Sequence, residues 1–162
     1  SGGPDLGRTG GFDEPTCQMS GCHADFELNS GRTQGLGDLV VKGLPEQYEP
    51  GKTYPVTLTI THVDGRQYWG FQAASRVKAT GAQAGALQAS DQETQVLEEK
   101  GIQYIQHTLL GIPTNSFTFD WVAPATPAGE VIVHFAGNAA DGSGEASGDY
   151  IYTTSVTLLP SH

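Results

Sequence analysis

The residue types most able to do chemistry lie in one heptapeptide, Cys17-Gln18-Met19-Ser20-Gly21-Cys22-His23. Two nearby thiols followed by an imidazole are the parts of a c-type haem attachment site. There the sulfurs add across the porphyrin vinyl groups and the histidine reaches the iron. The spacing here is C-x4-C-H, two residues longer than the C-x-x-C-H form, and Ser20-Gly21 supplies a pliable arc that lets the loop bulge. Two other chemistries use the same side chains. A Cys17–Cys22 disulfide closes a small loop of an exported protein and leaves His23 incidental. A thiolate metal site takes Cys17, Cys22 and His23 and draws its fourth ligand from a distant residue.

A haem held by His23 needs a second axial ligand or an open position, and the chain offers Met19, His62, His107, His134 and His162. His107 has the best case, because it alternates with Ile105 and Leu109 on an apolar strand face. Its competing role is a core histidine hydrogen-bonded to a neighbouring loop carbonyl. His62 ends an apolar face as an ordinary strand-end histidine, and His134 alternates against Val133 and Phe135 and so faces away from the core. His162 is terminal and frays, and Met19 sits on the proximal side within the attachment loop. Ligation by both His23 and His107 closes the iron to substrates, which makes electron transfer the expected role and catalysis not. Asp141, Glu145 and Asp149 suggest calcium, but their spacing is not that of an EF-hand and the same residues form turns. The sequence contains no phosphate-binding loop, no H-E-x-x-H and no serine-nucleophile signature.

The elements that must position these residues are strands. Residues 1–36 are rich in Gly, Asp, Thr and Pro and lack periodicity. Such a segment orders only when something ties it down, and an apolar macrocycle buried at about 25 cal/mol per Å² would supply the missing area. Alternation of period two begins near Asp38, with a short strand at Leu39–Val41. It recurs over 54–62, 68–77, 102–110, 117–121, 131–135 and 150–158. Pro50-Gly51 and Asp64-Gly65 punctuate it as turns. The stretch 80–89 is Gly/Ala-rich and ambiguous, and Glu93 to Glu99 allows one helical turn. Trp69, Phe71, Phe117, Phe119 and Trp121 recur at strand spacing and read as core, not as an electron relay. The expected fold is all-β, an immunoglobulin-like antiparallel sandwich of seven to nine strands over 37–162. The irregular 1–36 segment carries the haem motif and packs on it.

A chain of 162 residues is one domain with a real core. Its net charge of -10, from 8 basic and 18 acidic residues, argues against a nucleic-acid footprint or attachment to anionic lipid, and favours a cationic partner. No run reaches the ~18 apolar residues of a membrane-spanning helix. Ser1-Gly2-Gly3-Pro4 reads as the trimmed start of a mature chain.

Several stretches also resemble a known family. These are Gly10-Gly11 through Cys22-His23, Pro50-Gly51-Lys52-Thr53-Tyr54, Gly70-Phe71-Gln72 and Tyr104-Ile105-Gln106-His107-Thr108. Phe119-Asp120-Trp121-Val122-Ala123-Pro124, Ala136-Gly137-Asn138-Ala139-Ala140-Asp141-Gly142 and Gly148-Asp149-Tyr150-Ile151-Tyr152 follow in order. Together they resemble the Reeler-like (reelin N-terminal-like, choice-of-anchor V) domains of bacterial surface proteins. The resemblance implies an extracellular β-sandwich whose N-terminal cysteine pair often has the C-x-x-C-H form, and so supports haem at Cys17, Cys22 and His23. The expected function is a secreted, surface or periplasmic monohaem cytochrome with one haem c per chain. It would exchange electrons with a redox protein or an extracellular acceptor or donor, with self-association as a further option. The alternative is a cell-surface adhesion or structural module with a local Cys17–Cys22 disulfide and no haem.

Overall fold

The β-branched and aromatic residues that alternate from Asp38 onward each bury one face of a strand. A computed structural model describes residues 2–18, 23–143, 145 and 147–162, and places ten strands among them. They are β1 Gly37–Lys42, β2 Gln47–Tyr48, β3 Thr53–His62, β4 Tyr68–Val77 and β5 Ala86–Ala89. After these come β6 Thr94–Glu99, β7 Ile102–His107, β8 Ser116–Val122, β9 Val131–Ala140 and β10 Tyr150–Pro160. One sheet has the order β1-β3-β8-β5 and the other β2-β10-β9-β4-β7-β6. Every pairing is antiparallel except that of β10 with the two-residue β2. This is the all-β antiparallel sandwich expected, with slightly more strands than the alternation alone revealed.

The core lies between the sheets. Val56, Leu58 and Ile60 of β3 alternate inward beside Phe117, Phe119 and Trp121 of β8, and face Phe71, Ala73, Val133 and Phe135 of the other sheet. Trp121 buries a polar N–H along with its ring, and Nε1 satisfies it by donating to Ser75 Oγ at 2.9 Å. The aromatics read as core are therefore core.

Two local expectations need correcting. Residues 94–99 form edge strand β6, not a helical turn, because Val96 packs on the core and the whole segment pairs with β7. The predicted strand over 102–110 stops at His107. Leu109–Gly111 is a 3₁₀ turn, and Leu109 is 65% exposed rather than sharing a buried face with Ile105.

The N-terminal segment lies across the outer face of the six-stranded sheet, and the chain's own side chains hold it there. Glu14 is the main tie: its carboxylate accepts from the Thr9 and Tyr104 hydroxyls and from Arg76 Nη1. The Arg76 guanidinium in turn lies 4.6 Å over the Phe12 ring. Gln72, buried on β4, accepts from the Arg8 amide and donates to the Asp5 carbonyl. Gly11 passes so close to the His134 ring that no side chain would fit between them. Leu6 closes a small apolar cluster over Ala74, Ile102 and Tyr104. Further along, Asn29 exchanges hydrogen bonds with Thr153, through Nδ2 to Oγ1 and from the Thr153 amide to Oδ1. The expectation that a macrocycle must supply the buried surface of this segment gives way to these contacts.

Candidate functional site

On the outer face of β4, β9 and β10, the small residues Gly70, Ala136 and Ala140 are flanked by Tyr68, Gln72, Asn138 and Ile151 at one end of the sheet. Gly70 pairs with Asn138, Tyr68 with Ala140 and Asn138 with Ile151, while Ala136 lies opposite Gln72. Over this floor pass Gly3, Pro4, Cys17 and His23 of the N-terminal segment. Floor and roof line a mainly apolar, half-open pocket of about 210 Å³. His107 and Ile112 close one side of it. The fold thus brings Cys17, His23 and His107 to one cavity, although they are separated by up to ninety residues of sequence. Cys22 and Met19 fall outside the described residues.

His23 Nδ1 lies 2.8 Å from Asp149 Oδ2. The approach is off the hydrogen-bonding direction, so the two groups are in close contact without an aligned hydrogen bond. Asp149 is only 3% exposed, and its carboxylate is shared. Oδ1 accepts from the Asp141 amide at 3.2 Å, and Oδ2 accepts from Asn138 Nδ2 at 3.3 Å. Asp141 in turn accepts from the Ser143 amide. Asp141 and Asp149 are therefore turn-forming groups, and among the described residues they form no cluster that could hold calcium. Asp149 and Asn138 were visible in sequence only as members of a loop, because nothing local marks Asp149 as the neighbour of a histidine more than a hundred residues earlier.

His107 does a different task. Its Nδ1 meets the Phe71 backbone, 3.1 Å from the amide nitrogen and 3.3 Å from the carbonyl oxygen, at the point where β7 stops and its backbone can no longer pair with β4. Burial pushes the His107 pKa down, so the ring stays neutral. Gly70 has no side chain to obstruct this ring, and a Cβ there would press against it.

The remaining histidines are placed elsewhere. His62 has no exposed side-chain surface. Its Nδ1 meets the Tyr152 hydroxyl at 2.7 Å, Nε2 lies 3.2 Å from Asp64, and the ring lies 4.6 Å from that of Tyr150. It is enclosed between the two sheets, not a solvent-touching strand end. His134 meets Phe12 edge-on at 5.5 Å under the N-terminal segment.

These residues do not fit the cofactor expected of them. Among the described residues, no group of three or more His, Cys, Asp or Glu side chains is placed to hold a metal ion. The cavity is smaller than the ~300–1,000 Å³ that drug-sized ligands require, and a porphyrin needs more than that. The motif also departs from C-x-x-C-H at its own spacing.

No protein-family model matches the chain, and no curated protein matches it. Solved structures do. The reeler domain of human F-spondin superposes with a TM-score of 0.56 at 22% identity, over 77% of this chain and 89% of that one. A second structure, the Reelin-N domain of F-spondin, gives 0.55 at 21% identity, over 84% of this chain and all of the other. A cohesin module from a Clostridium perfringens family 33 glycoside hydrolase gives 0.52 at 11% identity, over 77% and 96%. The fold is thus a Reeler-like, immunoglobulin-like β-sandwich. With no metal-holding group among the described residues and a fold shared with these sandwich domains, the expected monohaem cytochrome and its haem c are overturned.

Proposed function

We propose that the chain is an extracellular or periplasmic β-sandwich module that works by contact, as an adhesion or structural unit of a cell surface, with Cys17 and Cys22 joined in a local disulfide. The observation that carries this reading is the architecture itself. The chain is built as the two-sheet sandwich that the F-spondin reeler domains and the clostridial cohesin module share. The ordered run of stretches resembling bacterial Reeler-like surface domains supports it from the sequence side. A net charge of -10 favours a partner with a cationic face. Such a module binds without catalysing a reaction, so its working surfaces are its faces and rims.

Two measurements test it. Intact mass of native material should show the loss of two hydrogens relative to the reduced chain. Beads coated with the protein should be retained on envelope preparations of the cells that make it, and beads coated with the core-broken variant Trp121→Ala should not. A mass increase from a covalently added group, or equal retention of both bead types, would overturn the reading.

A further inference from the structure

We infer that the loops at the Leu109 end of the sandwich are a docking surface for a partner protein segment that presents apolar side chains among lysines and arginines. The inference rests on the reading of the chain as a contact module, and names the surface and the chemistry of the partner.

The exposed apolar side chains are unevenly placed. Val63, Leu109 and Leu110 are 71%, 65% and 63% exposed, more than any other large apolar side chain among the described residues, and Tyr68 is 42% exposed. All four lie at one end of the sandwich, where β3 and β7 stop and β4 and β8 begin. Backbone contacts hold these loops together. The Trp69 amide donates to the Ile112 carbonyl at 2.8 Å, which ties the start of β4 to the chain leaving the Leu109–Gly111 turn. Exposed apolar side chains gathered like this, and not scattered singly, mark a contact surface.

The charge around these side chains selects what can cover them. Asp64 follows Val63 directly, and Asp141 adjoins Gly142, which lies against the Tyr68 ring. Asp91 and Glu93 belong to the loop that backs on to the Leu109 turn. There the Thr108 amide donates to the Glu93 carbonyl at 2.8 Å, and the Thr108 hydroxyl to the Gln92 carbonyl at 2.6 Å. Asp91 and Glu93 have no ion-pair partner among the described residues. The arginines near this end, Arg66 and Arg32, are taken up by Asp64 and Asp38. Every lysine of the chain, Lys42, Lys52, Lys78 and Lys100, lies towards the opposite end. Anionic lipid is repelled by such a rim, and a second copy brings a further charge of -10. An apolar centre with an acidic rim is complemented by an apolar centre with a cationic one.

The test titrates three peptides into the intact chain and follows backbone amides by NMR: an amphipathic leucine/lysine helix, its leucine/glutamate counterpart, and a serine/lysine peptide of equal charge. The leucine/lysine peptide should give saturable shifts at Val63, Tyr68, Asp91 and Leu109, and none at Lys52 or Lys100. The other two should bind about tenfold more weakly. The double variant Leu109→Ser, Leu110→Ser removes only exposed side chains and should weaken the leucine/lysine peptide by about tenfold. Asp91→Asn with Glu93→Gln should weaken it too and flatten its dependence on salt. Val40→Ser, on the outer face of β1, should change nothing. Equal affinity for the leucine/glutamate peptide would overturn the cationic partner. Shifts centred on the lysine end, or full affinity in the double-leucine variant, would overturn the surface. Binding of phosphatidylcholine vesicles through these loops, without peptide shifts, would assign them to lipid instead. On the same envelope preparations, beads bearing the double-leucine variant should be lost like those bearing Trp121→Ala. Retention equal to the parent's would overturn this surface and leave the module reading standing, whereas equal retention of parent and Trp121→Ala beads would overturn the module reading itself.

Discussion

At the scale of single residues, His107 shows how a side chain can finish a ladder that the backbone leaves incomplete. Removing it strands the Phe71 N–H in a partly buried position, which costs about 1–3 kcal/mol. His107→Ala should lower the urea midpoint without changing the slope, and His107→Asn, which keeps an acceptor, should recover part of the loss. A variant as stable as the parent would show that water serves Phe71 equally well. The Tyr104 phenol is a second case. Burial and the neighbouring Glu14 carboxylate raise its pKa above the ordinary value of 10.0. In a spectrophotometric alkaline titration Tyr104 should be among the last tyrosines to ionise, and Glu14→Ala should bring it forward. Neither role was legible in the sequence. The alternation of Ile105 and His107 was visible, but the strand end that turns this ring towards Phe71 is set by the 3₁₀ turn that follows.

At the scale of elements, the long strands were legible because apolar and polar residues alternate cleanly along them, as in Val56, Leu58 and Ile60. Strand β6 was not. Its two glutamates, Glu98 and Glu99, sit on successive positions and hide the period, and this is also how an exposed sheet edge is guarded against unwanted pairing. The N-terminal segment was harder still. Its ties are long-range side-chain contacts, such as Glu14 to Arg76 and Gln72 to Asp5, and no local pattern announces them. These ties suggest a test by hydrogen exchange. Glu14→Ala should raise exchange at the Ala74 and Tyr104 amides, which the segment covers, and leave Phe117 and Phe119 in the core protected. Uniform acceleration across both sheets would mean that the segment and sandwich open as one unit.

At the scale of the whole molecule, burial sets the response to acid. His62, His107 and His134 all have pKa values pushed below 6.5, in each case chiefly by burial. The folded state therefore holds these rings neutral while the unfolded chain takes up protons, and stability should fall as pH drops below about 6.5. Asp38 and Asp64 are held below the ordinary carboxylate value of 3.8 by hydrogen bonds from Arg32 and Arg66. They extend the loss at more acidic pH, where protonation removes those partners. Urea midpoints measured at pH 7.5, 6.0 and 5.0 should decline in that order, and a flat profile would show that the three rings accept protons without opening the fold. Fold class was readable from the sequence, since a two-residue repeat needs no distant information. The cavity was not, because its floor and roof come from segments far apart in the chain.

The two flanks of the six-stranded sheet would also answer a pulling force differently. The N-terminal segment is fastened by scattered side-chain contacts, so tension on it breaks them one after another, as in peeling. Strand β10 is gripped by β9 along nine paired residues and by β2 near its end. Tension along that strand must shear the whole row together. Anchored through its last strand, the module would bear a steady mechanical load while its N-terminal cover lifted first.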